Sequence, residues 1–167
     1  GPVRSSHGLA KALVARGHEV HVFTTNVDGP GILDVPLDRP VEIEGVTVRY
    51  FATQAPRRLC HAPAMGRAMA AEIGSFDVAH VNGMFLWPGP LLARLARRHG
   101  VPHIVSPRGM LVPEMIAGKS TLVKRLWISL QERRGLTTAA AIHVTSEEEA
   151  DGVRRLALGM MLITSFG

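Results

Sequence analysis

The chain has 167 residues, 46% hydrophobic and 20% charged, with 19 basic against 14 acidic side chains and a net charge of +5. That length supports one α/β domain with a real core, and the composition excludes a globally disordered chain. The single cysteine, Cys60, excludes a disulfide framework or a thiolate zinc site and suits a reducing compartment, and no apolar run approaches the ~20 residues needed to span a bilayer.

The chain begins Gly1-Pro2 without a signal peptide, and a helical pattern starts at once. Ser5 or Ser6 is the expected cap, Leu9 and Leu13 recur at helical spacing, and Gly17 follows the last turn. Glu19–Thr25 alternates in polarity, as a strand near a sheet edge does. Residues 26–40, with Asp28-Gly29-Pro30-Gly31, Pro36 and Pro40, read as a surface loop. Val41–Tyr50 reads as a turn at Glu44-Gly45 followed by a strand with Val46, Val48 and Tyr50 on one face. A helix is expected over 63–74, with Met65, Met69 and Ile73 on one stripe.

Three short apolar segments follow: Val78–Val81, His103–Val105 and Ala141–Val144. Helices are expected between and after them, at about 88–99, 120–136 and 147–157. Strands alternating with helices predict βαβ units, a mostly parallel Rossmann-like sheet and helices on both faces.

Ligands of open parallel sheets bind beyond the carboxyl ends of the strands. The candidates are therefore Thr24-Thr25-Asn26, Asn82-Gly83-Met84, Ser106-Pro107-Arg108-Gly109 and Thr145-Ser146-Glu147. The front loop is a fifth, because Gly1, Arg4 and Ser5 enter a helix whose N-terminal amides attract anions. It is not a G-x-G-x-x-G dinucleotide fingerprint. His80 and His143 lie inside apolar strands and read as packed core histidines. Glu147, Glu148 and Glu149 open a helix and suit its dipole. Phe85-Leu86-Trp87 forms an apolar loop tip, suited to an acceptor, a lipid or the next helix. Lys119, Lys124, Arg125, Arg133 and Arg134 accompany Leu122, Leu126, Trp127 and Leu130. That grouping suits a half-buried helix with a solvated basic face, or a membrane-surface helix.

Leu9–Val22 resembles the "L-A-x-x-L-x-x-x-G-H-x-V-x-V" opening of family 4 glycosyltransferases. Asp77-Val78-Ala79-His80-Val81-Asn82-Gly83 resembles their "D-V-x-H-x-H-G". Gly100-Val101-Pro102, Ser106–Leu111 and Ala141–Glu149, the last like "A-x-x-x-x-T-S-x-x-E", fall in the same order. The resemblance covers residues 1–157 and implies the N-terminal, acceptor-side Rossmann-like domain of a GT-B enzyme. Its first, central strand would be missing at the front, 158–167 would be a non-matching tail, and the donor-binding C-terminal domain would be absent. It further implies retaining transfer of a sugar from a nucleotide-sugar donor to a sugar or lipid-linked acceptor. No metal or other cofactor and no nucleic acid are expected; the location implied is cytoplasmic, with peripheral contact at the inner face of the membrane.

The implied substrate and phosphate contacts are Gly1, Arg4, Ser5, Asn82, Gly83, Arg108 and Gly109, with no catalytic residue assigned. Arg108 stands where many members carry histidine, and Asn82 replaces another common histidine; a guanidinium can steady phosphate but cannot act as a base. The other readings are a non-catalytic anion- or nucleotide-binding module and a GT-B-fold sugar-nucleotide epimerase.

Overall fold

The computed structural model describes residues 2–110, 126–155 and 161–163. They fall in two compact units, 1–71 and 72–167.

In the first unit, helix α1 (Pro2–Val14) precedes strand β1 (His21–Thr25), the short strands β2 (Val27–Asp28) and β3 (Gly31–Ile32), then β4 (Pro40–Ile43) and β5 (Val46–Phe51). Helix α2 (Pro63–Glu72) follows and buries Met65 and Met69, as its spacing predicts. β1 pairs in parallel with β5 and β4 pairs antiparallel to it, in the order β1-β5-β4. Ala10 and Val14 of α1 pack with Val46, Val48 and Tyr50, the predicted apolar face of β5.

Two expectations change here. Residues 26–40 are not all loop: β2 and β3 form a hairpin across Gly29 and Pro30, and Asn26 beside it is buried. The Asn26 side chain accepts the Thr53 amide at 3.1 Å, which makes this strand end structural. Ser5 and Ser6 do not cap α1, since the helix already runs from Pro2, where a fixed proline φ suits a first turn.

The turn between β4 and β5 is where α1 meets the sheet. Glu44 (φ 52°) and Gly45 (φ 80°) are both left-handed, as a two-residue type I′ hairpin requires. The Glu44 carboxylate accepts from Lys11 Nζ (2.5 Å) and His7 Nε2 (2.6 Å), and the Lys11 bond, then the His7 bond, hold its carboxyl below the usual range. A Cβ on Gly45 would lie 2.9 Å from Val14 Cγ1. Gly45→Ala therefore adds a left-handed Cβ and a clash at once; thermal unfolding should show a loss of about 1–2 kcal/mol.

The second unit holds β6 (Ala79–Asn82), α3 (Pro88–Arg98), β7 (His103–Ser106), α4 (Arg133–Thr137), β8 (Ala141–Val144), α5 (Glu147–Arg155) and β9 (Met161–Ile163). All four strands are parallel, in the order β6-β7-β8-β9, so three residues of the 158–167 segment join the sheet. Of the helix expected at 120–136, the part before residue 126 lies outside the described residues, as do Lys119, Leu122, Lys124 and Arg125. From Ile128 to Glu132 the described part widens into a π-turn before α4.

Register explains the sheet's two faces. Alternate residues point to opposite sides, and Val81, Val105, Ile142 and Val144 build a core with Met84, Ile128, Leu136, Ala150 and Val153. Among the described residues nine side chains are buried in that core, of which a Val or Leu contributes roughly 1.5–3 kcal/mol each. His103 shares this face, is buried, and its Nε2 bonds the Gly135 carbonyl at 2.8 Å. His80, Asn82, Ser106 and His143 are on the other face by the same register, in which Asn82 pairs with Ser106.

Candidate functional site

The carboxyl-terminal parts of β6, β7 and β8 carry His80, Asn82, Ser106 and His143, and hydrogen bonds join Ser106 to both histidines. The Ser106 hydroxyl sits between two rings, 2.7 Å from His80 Nε2 and 2.9 Å from His143 Nδ1. A hydroxyl has a single proton, so it donates to at most one of the two nitrogens. Both rings are held below the usual histidine range. Burial lowers His80 to about 4, with His143 and Arg108 adding to it. Burial likewise lowers His143, reinforced by Arg108 and opposed by Glu149. The pair is therefore neutral at physiological pH. Neither ring is simply packed in apolar surroundings: the two histidines and Ser106 form one uncharged polar row.

Beyond the row lies Arg108, whose Nη2 and Nε donate to Asn82 Oδ1 at 2.7 and 3.3 Å. Asn82 and Arg108, both expected from strand-end reasoning alone, are thus in direct contact. Gly83 and Gly109 flank them in left-handed conformations, φ 86° and 80°. Their amides are already committed: Gly83 N–H donates to the Ser106 carbonyl at 2.8 Å and Gly109 N–H to the Glu149 carboxylate. The glycines shape the turns, and the cationic donor of the site is the Arg108 side chain.

Gly1 lies outside the described residues. Arg4 and Ser5 belong to the first unit, inside α1, where Arg4 is exposed and Ser5 half-buried. The helix starts at Pro2, so Arg4 stands in its first turn rather than in a loop ahead of it.

Two carboxylates were not foreseen as part of the site. Glu132, buried, accepts through Oε1 from the Phe85 amide at 2.9 Å and from Trp127 Nε1 at 3.0 Å. Burial pushes its carboxyl up, against the opposing effect of those two bonds. It anchors the apolar tip: Phe85 (φ 60°) packs against the core and Met84 is fully buried. Glu149, also fully buried, accepts from Gly109 N–H through Oε1 and from Thr145 N–H (3.0 Å) through Oε2. Ser146 caps α5 by accepting the Glu149 amide at 3.2 Å. Of the three glutamates read as dipole partners, only Glu147 and Glu148 remain exposed. The signal available in the sequence was the Ser146-x-x-Glu149 capping box.

Among the described residues no group of three His, Cys, Asp or Glu side chains is placed to hold a metal ion. Among them, too, no helix is long and apolar enough to cross a membrane. A family model described as a glycosyl transferase 4-like domain matches residues 1–160. No curated protein and no solved structure matches the chain significantly.

Proposed function

The chain belongs to the glycosyl transferase 4-like family, and we propose that it forms the acceptor-side half of a retaining GT-B enzyme that moves a sugar from a nucleotide-sugar donor to an acceptor hydroxyl. The observation that carries this reading is the Arg108–Asn82 contact at the carboxyl ends of parallel strands, where an α/β sheet receives its ligands. In such a transfer the acceptor oxygen bonds the sugar's anomeric carbon as the bond from that carbon to the nucleoside diphosphate breaks; the diphosphate leaves with the electron pair and takes up the hydroxyl proton. A permanently charged guanidinium is suited to steady that charge and unsuited to accept a proton. Asn82 fixes the guanidinium's direction; the neutral histidine row beneath it adds no competing charge.

The donor-binding half is proposed to lie outside this chain, so the 167-residue chain should bind diphosphate without transferring sugar. Leu126 and Leu130, 58% and 69% exposed, share a segment with exposed Arg133 and Arg134, which supports contact with an anionic membrane surface carrying the acceptor.

The test is a titration of the ¹⁵N-labelled chain with inorganic pyrophosphate. Amide shifts should concentrate at Asn82, Gly83, Arg108 and Gly109. Arg108→Gln should weaken the affinity by roughly tenfold, the effect of one lost charge-assisted contact. Equal binding by R108Q, or sugar transfer by the chain alone, would contradict the reading.

A further inference from the structure

Arg108 occupies a conformation that its residue type disfavours. It is the first central residue of the turn Pro107–Met110, closed by Met110 N–H to the Pro107 carbonyl at 3.3 Å. Both central residues are left-handed, Arg108 at φ 58° and Gly109 at φ 80°. Turns of that kind prefer Asn-Gly or Gly-Gly, because a Cβ in the left-handed region crowds the following carbonyl. A strained non-glycine residue persists only where its surroundings over-determine it, and such residues cluster at functional sites.

What over-determines Arg108 comes from another element. Glu149, in the first turn of α5, is fully buried. One carboxylate oxygen accepts from Gly109 N–H in the β7 turn. The other accepts from Thr145 N–H at 3.0 Å and Thr145 Oγ1 at 3.4 Å, at the end of β8. The carboxylate thereby fixes the β7 turn against β8 and α5, and the turn in that conformation carries Arg108 to Asn82.

We infer that Glu149 is the positioning residue of the strand-end site: by gripping the Gly109 and Thr145 backbones it holds Arg108 in its left-handed conformation and keeps the guanidinium on Asn82. It acts through Arg108 and touches no ligand itself. The inference rests on the reading of Arg108 as a phosphate contact only for its functional consequence; the positioning is tested separately.

Glutamine cannot replace Glu149, because both oxygens accept and an amide group would set its NH₂ against one of the backbone N–H donors. The experiment compares the ¹⁵N-labelled full chain with Glu149→Gln and, as control, Glu148→Gln, an exposed glutamate on the same helix. The readout is the Arg108 Nε–Hε resonance, assigned by its loss in Arg108→Lys. In E149Q this proton should exchange with water about tenfold faster, and pyrophosphate affinity should fall by roughly tenfold, each corresponding to one lost contact of about 1.4 kcal/mol. In E148Q both should match the wild type.

An unchanged Arg108 Nε–Hε in folded E149Q overturns the inference. If pyrophosphate fails to bind the wild type, the phosphate reading falls and the exchange comparison still decides the positioning. Should E149Q fail to fold, the wild type decides instead. A through-hydrogen-bond coupling between the Gly109 nitrogen and the Glu149 carboxyl carbon, with a protected Arg108 Nε–Hε, supports the inference; absence of either overturns it.

Discussion

Glu132→Ala is expected to lower the unfolding free energy by roughly 2–5 kcal/mol, whereas Glu132→Gln should leave it unchanged or raised at pH 7. The difference follows from which oxygen is used. Both donors, the Phe85 amide and Trp127 Nε1, converge on Oε1 alone. Alanine removes that acceptor and leaves two donors without a partner, each costing about 1–3 kcal/mol where buried. A glutamine carbonyl accepts both bonds and does so without burying a charge.

The pH dependence gives a second handle. Burial raises the Glu132 carboxyl above its ordinary value, so the folded state binds the proton more tightly than the unfolded chain. Its contribution is fully present below the unfolded value near 4.5 and is lost as pH rises through the raised one. E132Q should abolish that fall. Urea titrations at pH 5 and pH 8 measure it; a wild-type-like stability in E132A would refute the anchoring role.

Glu132 also shows where the sequence stopped being informative. The strands β6, β7 and β8 were legible because apolar segments of the right length alternate with helical patterns, and the strand-end rule then named as candidates Asn82 and Arg108, which the structure brings into contact. Arg108 bonds Asn82 across 26 positions of chain, yet parallel pairing makes that contact foreseeable once the strands are known. The Phe85–Glu132 and Gly109–Glu149 bonds span 47 and 40 positions, and no periodicity announces either.

In the π-turn the backbone departs from the 3.6-residue period on which a helical reading depends, and Glu132 at its end is buried. Glu149 was hidden by its neighbours, since three consecutive glutamates at a helix start already have a sufficient explanation in the dipole. The front of the chain was misread for the opposite reason. Ser5 and Ser6 are good caps in isolation, and Pro2, an equally good first-turn residue, prevailed.

The second large effect comes from the histidine row and has the opposite sign. His80 is lowered to about 4 from an ordinary 6.5, so between those values the unfolded chain binds a proton that the folded one refuses. The stability this confers is present above pH 6.5 and is lost as pH falls through 4, and that difference is worth roughly 3 kcal/mol. Burial is the main cause; His143 and Arg108 add repulsion toward a charged His80 ring. His143 is lowered too, and contributes with the same sign. Over this window Glu132 works against both, because its folded form gains a proton as pH falls. The wild-type curve is therefore a difference of opposing terms, and single variants separate them. His80→Gln retains an amide able to bond the Ser106 hydroxyl and removes the titration. Between pH 7.5 and 4.5 the urea midpoint of H80Q should fall by markedly less than that of the wild type. E132Q should fall by more, since the opposing term is gone. Parallel curves for the wild type and H80Q would show that the ring is not neutral in the folded protein, and the uncharged row beneath Arg108 would have to be given up.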